Sequence, residues 1–237
     1  IDPAWDDVEK FYHQADGLEA GDLHLAIPDE LFWDDCSPGV AEAVKAAIDE
    51  LAAKGAQVRG FAFPEAVKAR ERFIRGGLFG VEGLSFMDEY YPDRAQSMDP
   101  NVGFRFKPSR KVDAVSYFTE LRKIAQLAAA VDERLRSVDL VVTPTIPLTP
   151  PTVDEVSSIK GYSTANAMMS RNTQPVNLLS LSAITIPIAL DTAGMPVGLQ
   201  LIARGSQEEH LLAAAWAIER VLGTARERLG TPPMCQN

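Results

Sequence analysis

Two apolar, β-branched runs, Ala183–Leu190 and Pro196–Ala203, are separated only by Asp191-Thr-Ala-Gly-Met195. A parallel crossover needs a dozen or more residues, so these strands pair antiparallel through a short turn. Near the start the opposite geometry is written. Leu23–Pro28 alternates as a strand, and Ser37-Pro38 offers an N-cap followed by Pro at the first helical position. Val40, Val44, Ala47, Ile48 and Leu51 then recur at helical spacing until Gly55 supplies a left-handed stop, and Val58–Phe63 reads as a second strand. Strand, helix and strand in that order make a parallel pair. A chain holding both units builds a mixed β-sheet covered by helices, an α/β fold.

The intervening chain fits this plan unevenly. Pro64 opens a helix to about Gly76, and Val112–Val138 is the longest helical stretch, with Val115, Phe118, Leu121, Leu127, Val131, Leu135 and Val138 in phase. Asp139-Leu-Val-Val-Thr-Pro144 is a buried strand stopped by proline, and Pro147, Pro150 and Pro151 keep the next stretch extended. Loops after strand C-termini line the ligand crevice of open α/β sheets. That brings Thr143 and Thr145 near any site, although a strand-end threonine with a satisfied hydroxyl is the plainer role for each. Gly76–Ser109 carries five glycines, three prolines and six Phe or Tyr, with no clear period. It reads either as a functional cap or as short helices wrapped over the core. Thr164–Leu179 has partial helical phasing. Ser206-Gln-Glu-Glu209 reads as a capping box opening the helix Gln207–Leu222, with Leu211, Leu212, Ala215, Trp216 and Ile218 inward. The polar tail from Thr224 to Pro232-Pro233 is expected to fray. Residues 22–110 thus hold the strand–helix–strand unit and a cap region. Residues 111–223 hold the long helix, core strands, hairpin and closing helix of one domain spanning 1–237.

Composition narrows the function. With 46% hydrophobic and 24% charged residues the chain is ordinary globular material, and its formal net charge of −10 repels polyphosphate, so nucleic acid is not expected as a partner. The basic residues Arg105, Lys107, Arg110 and Lys111 read as a solvated loop. Apolar runs are too short to span a bilayer, and no secretion signal is visible. Cys36 and Cys235 lie far apart, which fits a reducing, cytoplasmic compartment. His13, His24 and His210 lack ligand spacing, so neither a metal nor a cofactor is expected. The chain starts Ile1-Asp2-Pro3 with no initiator Met, as an excised segment would, a trimmed N-terminus being the alternative.

No nucleophile announces itself. There is no G-x-S-x-G elbow, Ser180-Leu-Ser182 precedes a strand without a flanking glycine, and Gly76-Gly77-x-x-Gly80 follows no strand. Asp34 and Asp35 beside Trp33, and Asp88 and Glu89 beside Tyr90, read as solvated. What stands out is Ser170-Arg-Asn-Thr-Gln-Pro-Val-Asn177, followed by Leu-Leu-Ser-Leu-Ser-Ala-Ile-Thr-Ile-Pro187 and Gly194-Met-Pro-Val-Gly-Leu-Gln-Leu-Ile-Ala-Arg204. As an ensemble this resembles the C-terminal half of the amidase signature family, serine amidohydrolases that include glutamyl-tRNA amidotransferase A subunits, fatty-acid amide hydrolases and allophanate hydrolases. Asp139–Thr145 with its proline-rich continuation, and Tyr117 with Arg122 on the long helix, extend the resemblance, which is weak before Lys111 and strong after Asp139.

The resemblance implies a Lys–Ser–Ser triad: a neutral Lys takes a proton from a bridging Ser, which activates the nucleophile, while backbone N–H groups hold the oxyanion. The family places that signature N-terminal to the segments seen here, so no catalytic residue is assigned within the 237 residues. The expected function is that of an amidase fragment, supplying sheet and pocket wall and inactive alone. The alternative is a non-catalytic binding or scaffolding subunit derived from an amidase. Partners would be a small-molecule amide and the N-terminal half of the same enzyme, with no membrane and with homo-oligomer formation left open. By position Ser170, Thr173 and Val176 match residues lining the acyl channel, and a spacing of three puts them on one helix face. Arg171 is expected to face solvent and Asn177 to bond backbone at a helix end. Two departures stand out. Ser180-Leu-Ser182 replaces the usual Gly-Leu-Pro. Ser170 also replaces an Asp that engages an amino group in amidotransferase-type members, which argues against an ammonium-bearing ligand.

Overall fold

The computed structural model describes residues 17–76 and 78–231. The expectations about Ile1–Pro3, His13, Pro232-Pro233 and Cys235 lie outside the described residues. The strands are β1 (His24–Pro28), β2 (Gln57–Phe61), β3 (Leu140–Pro144), β4 (Ser182–Leu190) and β5 (Pro196–Ala203). They form one sheet in the order β2-β1-β3-β5-β4. β1 runs parallel to β2 and β3, with Leu25 opposite Val58 and Leu140, while β5 runs antiparallel to β3 and β4. The sheet is mixed, as the two connection lengths require.

Both faces are covered, so the central strands are mostly apolar. On one face Leu25, Leu140, Val142, Leu199 and Leu201 pack against Val44, Ile48 and Leu51 of α1 (Val40–Ala53) and Ile218 and Leu222 of α8 (Glu208–Leu222). On the other, Ala26, Val141 and Ile202 meet Ala66 and Ala69 of α2 (Pro64–Gly76), Val131 and Leu135 of α5 (Ala114–Leu135) and Val176 of α7 (Gln174–Leu178). Among the described residues no helix is long and apolar enough to cross a membrane.

The region without a sequence period is helical: α3 (Leu78–Tyr90), a 3-10 turn at Pro92–Ser97, α4 (Pro100–Gly103) and a 3-10 stretch at Phe104–Lys111. Two glycines make this packing close. A Cβ on Gly83 would collide with the Phe106 ring, and one on Gly80 with Ser109. The glycines that hid the helix from its sequence are the notch that receives the next segment.

Several local expectations are corrected. α1 starts after Gly39, not Ser37, because the Ser37 hydroxyl accepts from the Thr149 N–H (3.0 Å), while the Gly39 N–H donates to Glu42 (3.0 Å). The capping box at Ser206 does not form. Ser206 is left-handed (φ +57°) and the helix starts at Glu208, whose carboxylate accepts from Ser182 at 2.8 Å. Trp216 is 49% exposed, whereas Ala214, Ala217 and Ile218 take the inward face. The polar tail is anchored as far as α9 (Ala225–Leu229), where Arg228 donates to the Ile188 carbonyl (2.6 Å) and pairs with Glu50 (3.1 Å).

Candidate functional site

The parallel strands β1 and β3 end side by side, and the chain leaves them through residues 29–39 and 145–158. Between α6 (Ile159–Met169) and α7 it folds back over these exits, carrying Ser170, Arg171, Asn172 and Thr173. The Ser170 hydroxyl donates to the Asn166 carbonyl (2.8 Å) as α6 ends, and Pro175 sits in the first turn of α7. Pro there sacrifices an N–H that has no helical partner.

Asn172 closes the junction. Its Nδ2 donates to the Phe32 carbonyl beyond β1 (2.9 Å) and to the Pro144 carbonyl at the end of β3 (2.7 Å). Its Oδ1 accepts from Arg171 Nε at 3.1 Å. Gln200 of β5 donates from Nε2 to the Thr143 hydroxyl (2.9 Å) and to the Asn172 carbonyl (3.2 Å). Thr143 and Asn172 have no exposed surface and Gln200 is 3% exposed, so every one of these bonds is shielded from water. A buried amide suits the task because it offers two donors and an acceptor at fixed angles.

Arg171 is 4% exposed, which overturns the expectation that it faces solvent. Its Nη2 donates to the Phe32 carbonyl at 3.3 Å and its guanidinium contacts the Cys36 thiol. Burial pushes the Cys36 pKa up, and the neighbouring guanidinium only partly offsets this, so the thiol stays protonated at neutral pH. Arg70 of α2 reaches the same turn, donating to Gln174 Oε1 (3.2 Å) and to the Ala167 carbonyl (3.1 Å). Burial, and then the Arg171 charge, lower its pKa below the usual guanidinium range.

Ser170, Thr173 and Val176 come together here, but not on one helix face. Ser170 is the C-cap of α6, Thr173 the N-cap of α7, and Val176 lies within α7. Ser170 and Thr173 are half-buried, and among the described residues the Thr173 hydroxyl meets only the Ser170 carbonyl, at 3.5 Å. Val176 is 3% exposed and packs in the core. Asn177 acts through its backbone carbonyl, which accepts the Ser180 N–H at 3.2 Å. Ser180 takes φ +54°, the left-handed conformation that a glycine would hold without strain. The substitution in Ser180-Leu-Ser182 therefore keeps a glycine-like backbone.

Thr145 donates its N–H to the Gly198 carbonyl (2.9 Å), and its hydroxyl pairs with that of Thr185. Asn172 and Gln200 are visible in the sequence as pattern members, but their partners lie too far along the chain for spacing to disclose them. The same holds at the opposite end of the sheet. There Asp139 sits between His24 (3.1 Å) and His210 (3.5 Å), beside a cavity of about 200 Å³ lined by Arg136, Arg204 and Gln207. Tyr117 donates to Glu82 (2.9 Å), while Arg122 is exposed. Among the described residues no cluster of His, Cys, Asp or Glu could hold a metal ion.

Comparison with known proteins agrees with this architecture. The amidase family profile matches residues 2–212. The 2-amino-5-chloromuconic acid deaminase of Comamonas testosteroni is 35% identical over 212 residues, covering 90% of this chain and 46% of that protein. The glutamyl-tRNA(Gln) amidotransferase A subunit from Roseiflexus sp. (strain RS-1) is 30% identical, covering 84% of this chain and 44% of that one. The chain thus spans less than half the length of these curated relatives. Among solved structures, Kluyveromyces lactis allophanate hydrolase shares the fold with a TM-score of 0.74 at 24% identity, covering 84% of this chain and 32% of the other. The profile and the shared fold agree: this chain belongs to the amidase family.

Proposed function

We propose that the protein carrying this sequence hydrolyses an amide C–N bond, and that residues 1–237 are the C-terminal portion of its single amidase domain. Family membership supplies the reaction class, and coverage of only 46% and 44% of the relatives leaves room for the rest of the domain. A Lys–Ser–Ser triad from that remaining half would perform the chemistry. The Lys would accept the proton of the bridging Ser, which accepts the nucleophile's proton as its oxygen attacks the carbonyl. This chain would contribute sheet and pocket wall, with Ser170 and Thr173 at the wall's surface and Val176 backing them. The observation that carries this reading is the Asn172 amide, bonded to the exits of both β1 and β3 and so fixing the Ser170–Thr173 turn over the crevice. A wall held by buried bonds is the preorganised support a substrate pocket needs. The muconic acid deaminase suggests a small acid as the substrate type.

The test is an ammonia-release assay on an amide panel, with the full-length protein and residues 1–237 in parallel. The full-length protein should turn over an amide and be silenced by a serine-directed phosphonate, and the chain alone should be inactive. Turnover by residues 1–237 alone would sink the assignment of the chemistry to the other half.

A further inference from the structure

We propose that Arg70 and Arg171, with the Thr173 hydroxyl, form a subsite that binds a carboxylate of the amide substrate. The proposal rests on the amidase reading for the identity of the ligand, and on this chain's own charges for its sign.

Other half-buried arginines are matched. Arg72 pairs with Glu120 (2.9 Å), Arg204 with Asp132 (3.0 Å) and Arg228 with Glu50 (3.1 Å), while Arg105 stacks on the Phe79 ring. Arg70 and Arg171 differ. All their hydrogen-bond acceptors are neutral: the Gln174 amide, the Ala167 and Phe32 carbonyls, the Asn172 amide. Among the described residues neither comes within 4.0 Å of a carboxylate oxygen, in a chain whose net charge is −10. The remaining ionisable contact, Cys36, is held protonated by burial and brings no negative charge.

Both arginines bond groups of the 167–174 turn, and the Arg171 charge opposes that of Arg70, so an anion binding beside Arg70 relieves the repulsion. Arg70 is half-buried, so a ligand can reach it, and it spends only two of a guanidinium's five N–H donors. A carboxylate matches the planar fork with two parallel bonds. The Thr173 hydroxyl, engaged only at 3.5 Å, can supply a third donor. Ser170 on the same turn is neutral and so leaves the positive potential intact.

The experiment uses the full-length protein with two amides of equal length, glutaramate and glutaramide, and its R70Q and R70K variants. The wild type should favour glutaramate in kcat/KM by about tenfold or more, the scale of one charge-assisted contact. R70Q should erase that ratio, chiefly through KM, and R70K, which keeps the charge, should retain much of it. A wild-type ratio near one, or an unchanged ratio in R70Q, overturns the proposal. If the full-length protein turns over neither these two nor any other amide of the panel, the amidase reading is what fails. Calorimetry then decides the subsite with succinate, glutarate and adipate as probes. Binding that R70Q abolishes supports it, while no binding by the wild type, or inorganic phosphate binding as tightly, overturns it.

Discussion

Two polar ties hold the exits of this sheet, and they are made of opposite materials. At Asn172 the centre is a neutral, wholly buried amide, and apart from the adjacent Arg171 its partners are distant: the Phe32 carbonyl lies 140 residues away and Gln200 lies 28 away. At the β4–β5 turn the centre is a carboxylate and most partners are local. Asp191 accepts from the N–H groups of Ala193 (2.9 Å) and Met195 (2.8 Å), with the Thr149 hydroxyl at 2.6 Å as the long-range member. Burial opposes ionisation of Asp191, yet the Thr149 hydroxyl and the backbone N–H groups outweigh it and hold the carboxyl below its usual range. A neutral tie needs geometry alone, whereas a charged one also depends on pH. Asp-x-x-Gly turn chemistry can be read from four adjacent letters, whereas the Asn172 tie requires the finished fold.

Cutting the neutral tie should have the largest effect. Asn172→Ala removes the amide donor from the Pro144 carbonyl, the shorter of two side-chain donors from the Phe32 carbonyl, and an acceptor from Arg171, all in the interior. We expect a loss of about 3 kcal/mol in denaturant unfolding, from several buried groups left unsatisfied at ~1–1.5 kcal/mol each. A loss near that of a surface substitution would mean that water or Gln200 can replace it.

Asp191→Asn sharpens the contrast. It keeps an acceptor but removes the charge, and should cost about 1–2 kcal/mol at neutral pH. Folding depresses this carboxyl's pKa, so its stabilisation is complete above the unfolded-state value of about 3.9 and is lost as the pH falls through the lower folded-state value. Thermal unfolding in acid should therefore show the wild type losing more stability than D191N, whereas the effect of N172A should stay flat over that window. Equal acid slopes for wild type and D191N would break the comparison.

The smallest effect belongs to Thr185→Val. The Thr145–Thr185 hydroxyl pair lies at the same edge but with Thr185 exposed, so the change should stay within about 0.5 kcal/mol. A loss above about 1 kcal/mol would add a third tie to the two compared.

The same divide between local and distant partners governs what the sequence discloses. The parallel β1–β2 pair, the hairpin, the helix from Pro64 and the strand at Leu140 are legible because period, Gly stops and connection length act within a few residues. The misreadings have long-range causes. Arg171 reads as a surface cation until Phe32, 139 residues earlier, supplies an acceptor. The helix opens at Glu208 rather than from a box at Ser206, and the Glu208 carboxylate is taken by Ser182, 26 residues earlier. The tail after Thr224 reads as free until Arg228 meets the Ile188 carbonyl. At the candidate site, the sequence names Ser170, Thr173 and Val176, which the fold places at and just after the α6–α7 junction. It does not single out the two arginines and the two amides that give the turn its charge and rigidity, since their significance lies in which neighbours are absent or remote.

The glycine notch in α3 has a consequence for covalent continuity. Phe106 and Ser109 sit in the space left by Gly83 and Gly80, and Arg110 grips Asp88 with two hydrogen bonds at 3.1 and 3.0 Å. The chain between Tyr91 and Gly103 thus spans two points already clasped to each other. Its peptide bonds there carry connection but little of the attachment. A backbone cleaved within that span would still be one molecule in native solution and would part into two only when unfolded.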